Sequence, residues 1–242
     1  MTRYDDIKSL LADVKDRLLE IKNSYDQSLQ NKVIPDFLRI DVTIVMGNLR
    51  PCLDYMAQDI YETIIAPHRE KNNLKPRKRI CFPYGKNEQD FNKSIQKNLP
   101  DLKTVRPDIY SLIEAIQPHV CGDTWLCDLC QIVNDNKHNS LSEQQRTSSK
   151  TYSVGLKGRG PTISALAGAI TTSQGATISI NGVPVTFDPN TWIPLQTSGL
   201  EVAVIEWVDF VFKDTNIKVY PLMMTVFHKI EEISKKFYEK MQ

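Results

Sequence analysis

The stretch Asp36–Ile65, DFLRIDVTIVMGNLRPCLDYMAQDIYETII, decides the fold that this sequence predicts. Apolar residues recur through it at three- and four-residue steps, which is the spacing of an amphipathic helix. One apolar stripe comprises Leu38, Val42, Val45, Leu49, Leu53, Met56 and Ile60, and a second comprises Phe37, Ile40, Ile44 and Tyr55. Two stripes on one helix predict burial on two sides, as in the central helix of a bundle.

Other segments supply the partners that a central helix needs. The same spacing predicts helices over residues 3–30, from Pro107 to before Pro118, from about 124 to about 144, and from about Pro221 onward. Residues 67–105 are expected to be irregular. The sequence therefore predicts a mostly α-helical bundle over residues 1–150.

A change of composition at Thr151 marks a second region. In ISINGVPVTF (178–187), the pair Asn181-Gly182 suits a two-residue hairpin turn, and EVAVIEWVDFVF (201–212) alternates like a strand. We expect a small β-hairpin and β-sheet insertion over residues 151–213, before a C-terminal helix at 214–242 that packs back on the bundle.

Composition excludes several classes of protein. The hydrophobic fraction of 41% and the charged fraction of 24% are ordinary for a globular chain. A net charge of +1 gives no general attraction to nucleic acid, so only a local patch could supply it. The charged N-terminus lacks the features of a signal peptide, and no apolar run approaches the roughly 18 residues of a membrane helix. With five cysteines and no export signal, we expect reduced thiols and a cytoplasmic location.

A polar stripe runs along the helix predicted from about 124 to about 144, within its first part, DTWLCDLCQIVNDNKH (123–138). Its members are spaced by three or four residues and flank the apolar face: Cys127, Gln131, Asn134 and His138. Such a stripe predicts a partly buried seam between helices, where burial tunes the pKa of functional groups. Hydrogen bonding between neighbouring helices is the alternative role for Asn134 and His138.

The segment NLRPCLDY (48–55) adds charge to this hypothesis. Arg50 and Asp54 are four residues apart on one helix and can pair. If they face His138, they supply a cation and an orienting carboxylate beside a general acid/base, which suits phosphodiester cleavage.

Two further patterns in the sequence bear on ligand binding. The run HREKNNLKPRKR (68–79) offers candidate phosphate contacts at Arg69, Lys75, Arg77, Lys78 and Arg79, with a solvated loop as the alternative. Cys127-x-x-Cys130 lies inside a predicted helix with no second ligand pair, although His119 and Cys121 are near in sequence. Structural zinc usually requires two such pairs, so we expect no metal and no cofactor.

Three short motifs together resemble a known family. They are Asn48-x-Arg50-x-x-Leu53-Asp54, then Phe82-Pro83 with Phe91, then Asn134-x-x-Lys137-His138. They resemble a group of uncharacterised bacterial proteins over residues 36–141, and this arrangement is similar to the HEPN superfamily of helical bundles. Many HEPN proteins are metal-independent ribonucleases of toxin–antitoxin and phage-defence systems, commonly active as homodimers.

The resemblance implies specific roles. His138 would be the acid/base, Asn134 would position the phosphate, and Arg50 or Lys137 would supply positive charge, with Asp54 beside Arg50. The arginine of the HEPN signature falls on Val133 in this chain. HEPN-like bundles without that arginine often serve as binding or assembly modules. The resemblance therefore implies RNA cleavage or RNA binding, with a non-catalytic module that contacts a cognate protein as the alternative.

Overall fold

A computed structural model describes residues 3–31, 36–138, 144–157, 161–166, 178–188, 194–195 and 199–241. The chain forms two compact units: a helical unit of Met1–Gln145 with Val211–Gln242, and a β unit of Arg146–Phe210. The described part is mostly helical, with small antiparallel sheets. The units change at 145/146 and 210/211, where the sequence suggested 150/151 and 213/214.

The helical unit contains helices of very different lengths. They are α1 (Arg3–Asn31), α2 (Asp36–Ile60), α3 (Ala66–Lys71), α4 (Glu88–Asn98), α5 (Leu102–Val105), α6 (Pro107–Ala115), α7 (Pro118–Cys121), α8 (Trp125–His138) and α9 (Val219–Met241). A π-helical turn, Tyr61–Ile65, joins α2 to α3. In the described residues, no helix is both long enough and apolar enough to cross a membrane.

Helix α2 is the centre of this unit, packing against α1, α8 and α9. The stripe from Leu38 to Ile60 is buried, as the sequence predicted. The second stripe is not buried at its start, because Phe37 and Ile40 remain 53% and 49% exposed. The prediction of burial on two sides is therefore wrong for the first turns of α2.

A polar contact ties the ends of the unit together. Asp59 is buried and accepts hydrogen bonds from the hydroxyl of Tyr238 and from Arg3 Nη1, the latter at 2.6 Å. Tyr4 stacks on Tyr238 with the ring centroids 4.3 Å apart. This contact joins α1 and α9 to the end of α2.

The prediction that residues 67–105 are irregular is wrong in part, because the region contains α3, α4 and α5. Asn87 caps α4 by accepting a hydrogen bond from the Asp90 amide at 2.9 Å. Phe91 and Ile95 are four residues apart and bury one face of this short helix. The Asn87 cap and the buried face explain why a mostly polar segment forms a helix here.

The predicted end of α8 is also wrong. The helix ends at His138, and strand β1 (Gln144–Leu156) begins where the helix was expected to finish. In the β unit, β1 pairs antiparallel with β2 (Pro161–Leu166) and also neighbours β5 (Leu200–Phe212). Pairing with a strand as distant as β5 is a tertiary effect that local helical spacing does not register.

The predicted hairpin is confirmed. Strands β3 (Ser179–Ile180) and β4 (Val183–Pro184) are antiparallel, and Asn181 and Gly182 form the turn with φ of 48° and 82°. Two successive positive φ values define a turn that matches the twist of a hairpin. The β unit has its own small core: Val154, Ile180, Val185 and Leu200.

Candidate functional site

Arg50 lies at the seam between α2 and α8. Its Nη2 donates to Asp54 Oδ1 at 3.1 Å, one turn further along α2. Its Nη1 donates to Cys130 Sγ on α8 at 2.6 Å. The Arg50 side chain is only 11% exposed. The arginine thus joins two helices and uses two of its five N–H donors within the protein.

Tyr84 covers this arginine. The guanidinium carbon of Arg50 lies 5.4 Å from the centroid of the Tyr84 ring, within cation–π range. Asn134 of α8 lies near the Tyr84 hydroxyl. Burial raises the pKa of the Tyr84 hydroxyl, and the nearby Cys130 adds to this effect, while Arg50 and Asn134 oppose it. We call Arg50, Asp54, Tyr84, Cys130 and Asn134 the seam cluster.

The segment Phe82–Gly85, FPYG, carries Tyr84 and is held by side chains from three helices and from Gln117, which lies between α6 and α7. Its main-chain N–H groups donate to Asp54 Oδ1 (2.8 Å, from Phe82), Ser94 Oγ (3.2 Å, from Tyr84) and Gln117 Oε1 (3.2 Å, from Gly85). Its carbonyls accept from Gln117 Nε2 (3.3 Å, at Pro83) and Cys127 Sγ (3.4 Å, at Gly85). A segment with this many main-chain anchors holds its tyrosine in one place.

Gly85 is required by close packing. A Cβ atom at this position would overlap the backbone nitrogen of Phe91 at the start of α4. Gln117 is fully buried beneath the segment and also donates to the Ile113 carbonyl at 3.0 Å. The FPYG segment therefore sits directly on α4 and α6 with no space for a side chain at Gly85.

The basic segment, residues 69–79, is anchored to the protein by its backbone. Arg69 is turned inward: its Nη1 pairs with Asp101 Oδ2 at 2.7 Å, and its Nε donates to the Lys75 carbonyl at 3.0 Å. The Arg77 amide donates to the hydroxyl of the buried Tyr61. Arg69 thus positions the segment and is not a free cation.

Four predicted phosphate contacts do point to solvent. The side chains of Lys75, Arg77, Lys78 and Arg79 are all exposed. From these residues the chain runs back along α2 to Tyr84. Arg77 is hydrogen-bonded to Tyr61, Phe82 to Asp54, and the Tyr84 ring contacts Arg50. The helical rise between residues 61 and 50 gives about 16 Å from the basic segment to the seam cluster.

The structure brings three predicted site residues together: Arg50, Asp54 and Asn134. The backbone of Lys137 and His138 forms the end of α8, and their side chains lie outside the described residues. Arg50 is hydrogen-bonded to Cys130. Along the axis of α8, the Cα atom of His138 lies about 12 Å from the Cα atom of Cys130. Val133 is buried, at 4% exposure.

Sequence reasoning missed three residues of this arrangement: Tyr84, Gln117 and Cys130. The stripe prediction selected Cys127 and Gln131 at the seam, whereas Cys130 meets Arg50 and Gln131 is exposed. A Pro, an aromatic residue and a Gly in succession, as in FPYG, could have signalled a constrained loop. No sequence pattern points to Gln117, because it anchors the FPYG segment through contacts with residues more than 30 positions away.

The cysteines of α8 are poor candidates for chemistry. Burial raises the pKa of Cys130 to about 12 and also raises that of Cys127, so both thiols stay protonated. In the part of the chain that the structure describes, no group of three or more His, Cys, Asp or Glu side chains could hold a metal ion. Comparison with known proteins gives no matching family model, and no match among curated proteins or among solved structures.

Proposed function

We propose that this chain is a HEPN-like module of a bacterial defence or toxin–antitoxin type system that binds RNA and cleaves it near the end of α8. One observation carries the proposal: four exposed cations stand on an anchored segment that leads to a cluster containing arginine, tyrosine and asparagine. Clustered Lys and Arg side chains bind phosphates, and unpaired bases stack on aromatic rings and on guanidinium planes.

The cations of the basic segment stand out against the rest of the chain. The whole protein carries a net charge of only +1, so any attraction to a polyanion must be local. The anchors at Lys75 and Arg77 fix the backbone, which lowers the entropy lost when the four side chains meet phosphates. With four phosphate contacts, a plot of the logarithm of the association constant against the logarithm of the salt concentration should have a slope of about −3.

Cleavage is assigned to the residues after Asn134. In this proposal His138 is the acid/base, Asn134 positions the phosphate, and a cation neutralises the charge of the transition state. Arg50 is already bonded to Asp54 and Cys130, which favours Lys137 as that cation.

The test measures binding of a fluorescent 12-nucleotide single-stranded RNA as a function of salt. Changing Lys75, Arg77, Lys78 and Arg79 to Ala should flatten the salt slope. A matched control changes four exposed lysines elsewhere in the helical unit, Lys15, Lys229, Lys235 and Lys240, and should leave both affinity and slope nearly unchanged. Equal losses in the two variants would mean non-specific attraction and would contradict the proposal.

A second experiment addresses cleavage. His138→Ala should abolish cutting of the same RNA without lowering the melting temperature. A wild-type protein that binds but never cuts the RNA removes the catalytic assignment and leaves a binding module.

A non-catalytic assembly module is the second candidate function, favoured by the burial of Arg50. Under that hypothesis the seam cluster only fixes α2 against α8, and the chain contacts a cognate protein or a second copy of itself. A wild type that cuts no RNA, together with a His138→Ala variant that melts several degrees lower, would support it. Size-exclusion chromatography with light scattering tests the homodimer that the HEPN resemblance implies.

A further inference from the structure

Tyr84 is less buried than three tyrosines that pack inside the helical unit. Tyr61, Tyr110 and Tyr238 are 7%, 4% and 6% exposed, as expected of rings used for packing. Tyr84 remains only half-buried although its backbone is held on both sides. A fixed segment that keeps an aromatic ring partly in solvent is a feature of a binding surface.

We propose that Tyr84 is a nucleobase platform, on which one unpaired base of a bound RNA strand stacks. The proposal rests on the RNA binding proposed above and adds a residue and a ligand group to it. The guanidinium carbon of Arg50 lies over the ring, 5.4 Å from its centroid, and Asn134 lies near the hydroxyl. The Tyr84 side chain is half-buried, and its solvent-exposed part is where a base would stack.

Preorganisation is the physical reason for this assignment. The main chain of the FPYG segment is bonded to Asp54, Ser94 and Gln117, and Gly85 is packed against α4. Stacking on a ring that is already fixed costs little conformational entropy. The cation–π contact with Arg50 also helps to fix the position of the ring.

The distance to the basic segment fits one continuous strand. About 16 Å along α2 separates the level of Arg77 from the level of Tyr84. At roughly 3.4 Å of axis per nucleotide, the spacing along one strand of a duplex, about five nucleotides span this distance. Phosphates at Lys75–Arg79 and a base at Tyr84 can therefore belong to the same short strand.

The experiment compares a fluorescent 8-nucleotide single-stranded RNA with a strand of the same length that has abasic ribose at every position. Wild type should bind the base-bearing strand about 5- to 150-fold more tightly, which is the range for loss of one stacked base. Tyr84→Ala should remove this preference and leave affinity for the abasic strand unchanged. Tyr84→Phe and Tyr84→Trp should keep the preference, and melting curves of all variants check the fold.

The remaining outcomes separate this inference from the function on which it rests. If the Lys75, Arg77, Lys78 and Arg79 variant loses affinity for both strands while Tyr84→Ala keeps the base preference, RNA binding stands and the platform is wrong. If Tyr84→Ala weakens both strands equally, the ring acts through packing and the platform is again wrong. If the wild type binds neither strand, the proposed function and the platform both fail.

Discussion

Gln117 offers the sharpest test of how the candidate site is built. Its side chain is fully buried, accepts from the Gly85 amide at 3.2 Å and donates to the Pro83 and Ile113 carbonyls at 3.3 and 3.0 Å. Gln117→Ala leaves the Gly85 amide and the Pro83 carbonyl buried without their partner. Each such group costs about 1–3 kcal/mol, so we expect the free energy of unfolding to fall by about 2–5 kcal/mol.

Two measurements check this magnitude. Urea unfolding followed by far-ultraviolet circular dichroism reports mainly the helical unit and gives the global loss. Hydrogen exchange at the Gly85 amide gives the local loss and should accelerate at least about tenfold. RNA affinity should fall as well, because Tyr84 would no longer be fixed.

Gln131→Ala is the matched control for Gln117→Ala. Gln131 is exposed on α8, so its removal should change stability by no more than about 0.5 kcal/mol. A Gln117→Ala variant as stable as this control, with slow exchange at Gly85, would refute the idea that Gln117 holds the FPYG segment.

Three further outcomes are expected. In the native protein, Cys81 and Cys121 should react quickly with a thiol reagent because they are exposed, while the three buried cysteines should react only after unfolding, as counted by mass spectrometry. The pKa of the Tyr238 hydroxyl is raised above its ordinary value of 10, mainly by burial and then by its hydrogen bond to Asp59. The protonated hydroxyl therefore stabilises the folded protein below about pH 10, and this stabilisation is lost as the pH rises further. Tyr238→Phe should make the free energy of unfolding, measured in urea titrations, decline less steeply at alkaline pH. Gly182→Ala should destabilise the β unit by about 1 kcal/mol, because φ is 82° there, and a shift of the β unit's exchange rates would measure it.

The sequence predicted the parts of the fold that depend on local spacing. The buried stripe of α2 and the turn at Asn181-Gly182 are visible in neighbouring residues, and the structure confirms both. Helix α4 was missed because its sequence is mostly polar, and its stability comes from the Asn87 cap and from burial of Phe91 against other elements. The first part of strand β1 was missed because its neighbour β5 lies far along the chain.

The candidate site divides in the same way. Arg50 and Asp54 could be paired from their spacing alone, and the structure confirms that pair at 3.1 Å. The contact between Arg50 and Cys130 could not be predicted, because it depends on the rotation of α8 against α2. The inward turn of Arg69 has the same origin: its partner Asp101 is 32 residues away, and a basic run does not show which of its members is already neutralised.

The two roles open to Arg50 predict opposite results for a conservative substitution. Arg50→Lys keeps the positive charge, but an ammonium group lacks the planar fork of donors with which arginine contacts both Asp54 and Cys130. The Arg50 side chain is only 11% exposed, so water cannot readily replace the lost contacts. If Arg50 is a packing residue, this variant loses about 1–3 kcal/mol of stability and still cuts RNA, whereas Lys137→Gln keeps its stability and loses cleavage. If Arg50 is the catalytic cation, Arg50→Lys loses cleavage while its melting temperature stays near that of the wild type. The bonds of Arg50 at the level of Cys130, about 12 Å along α8 from His138, favour the first result.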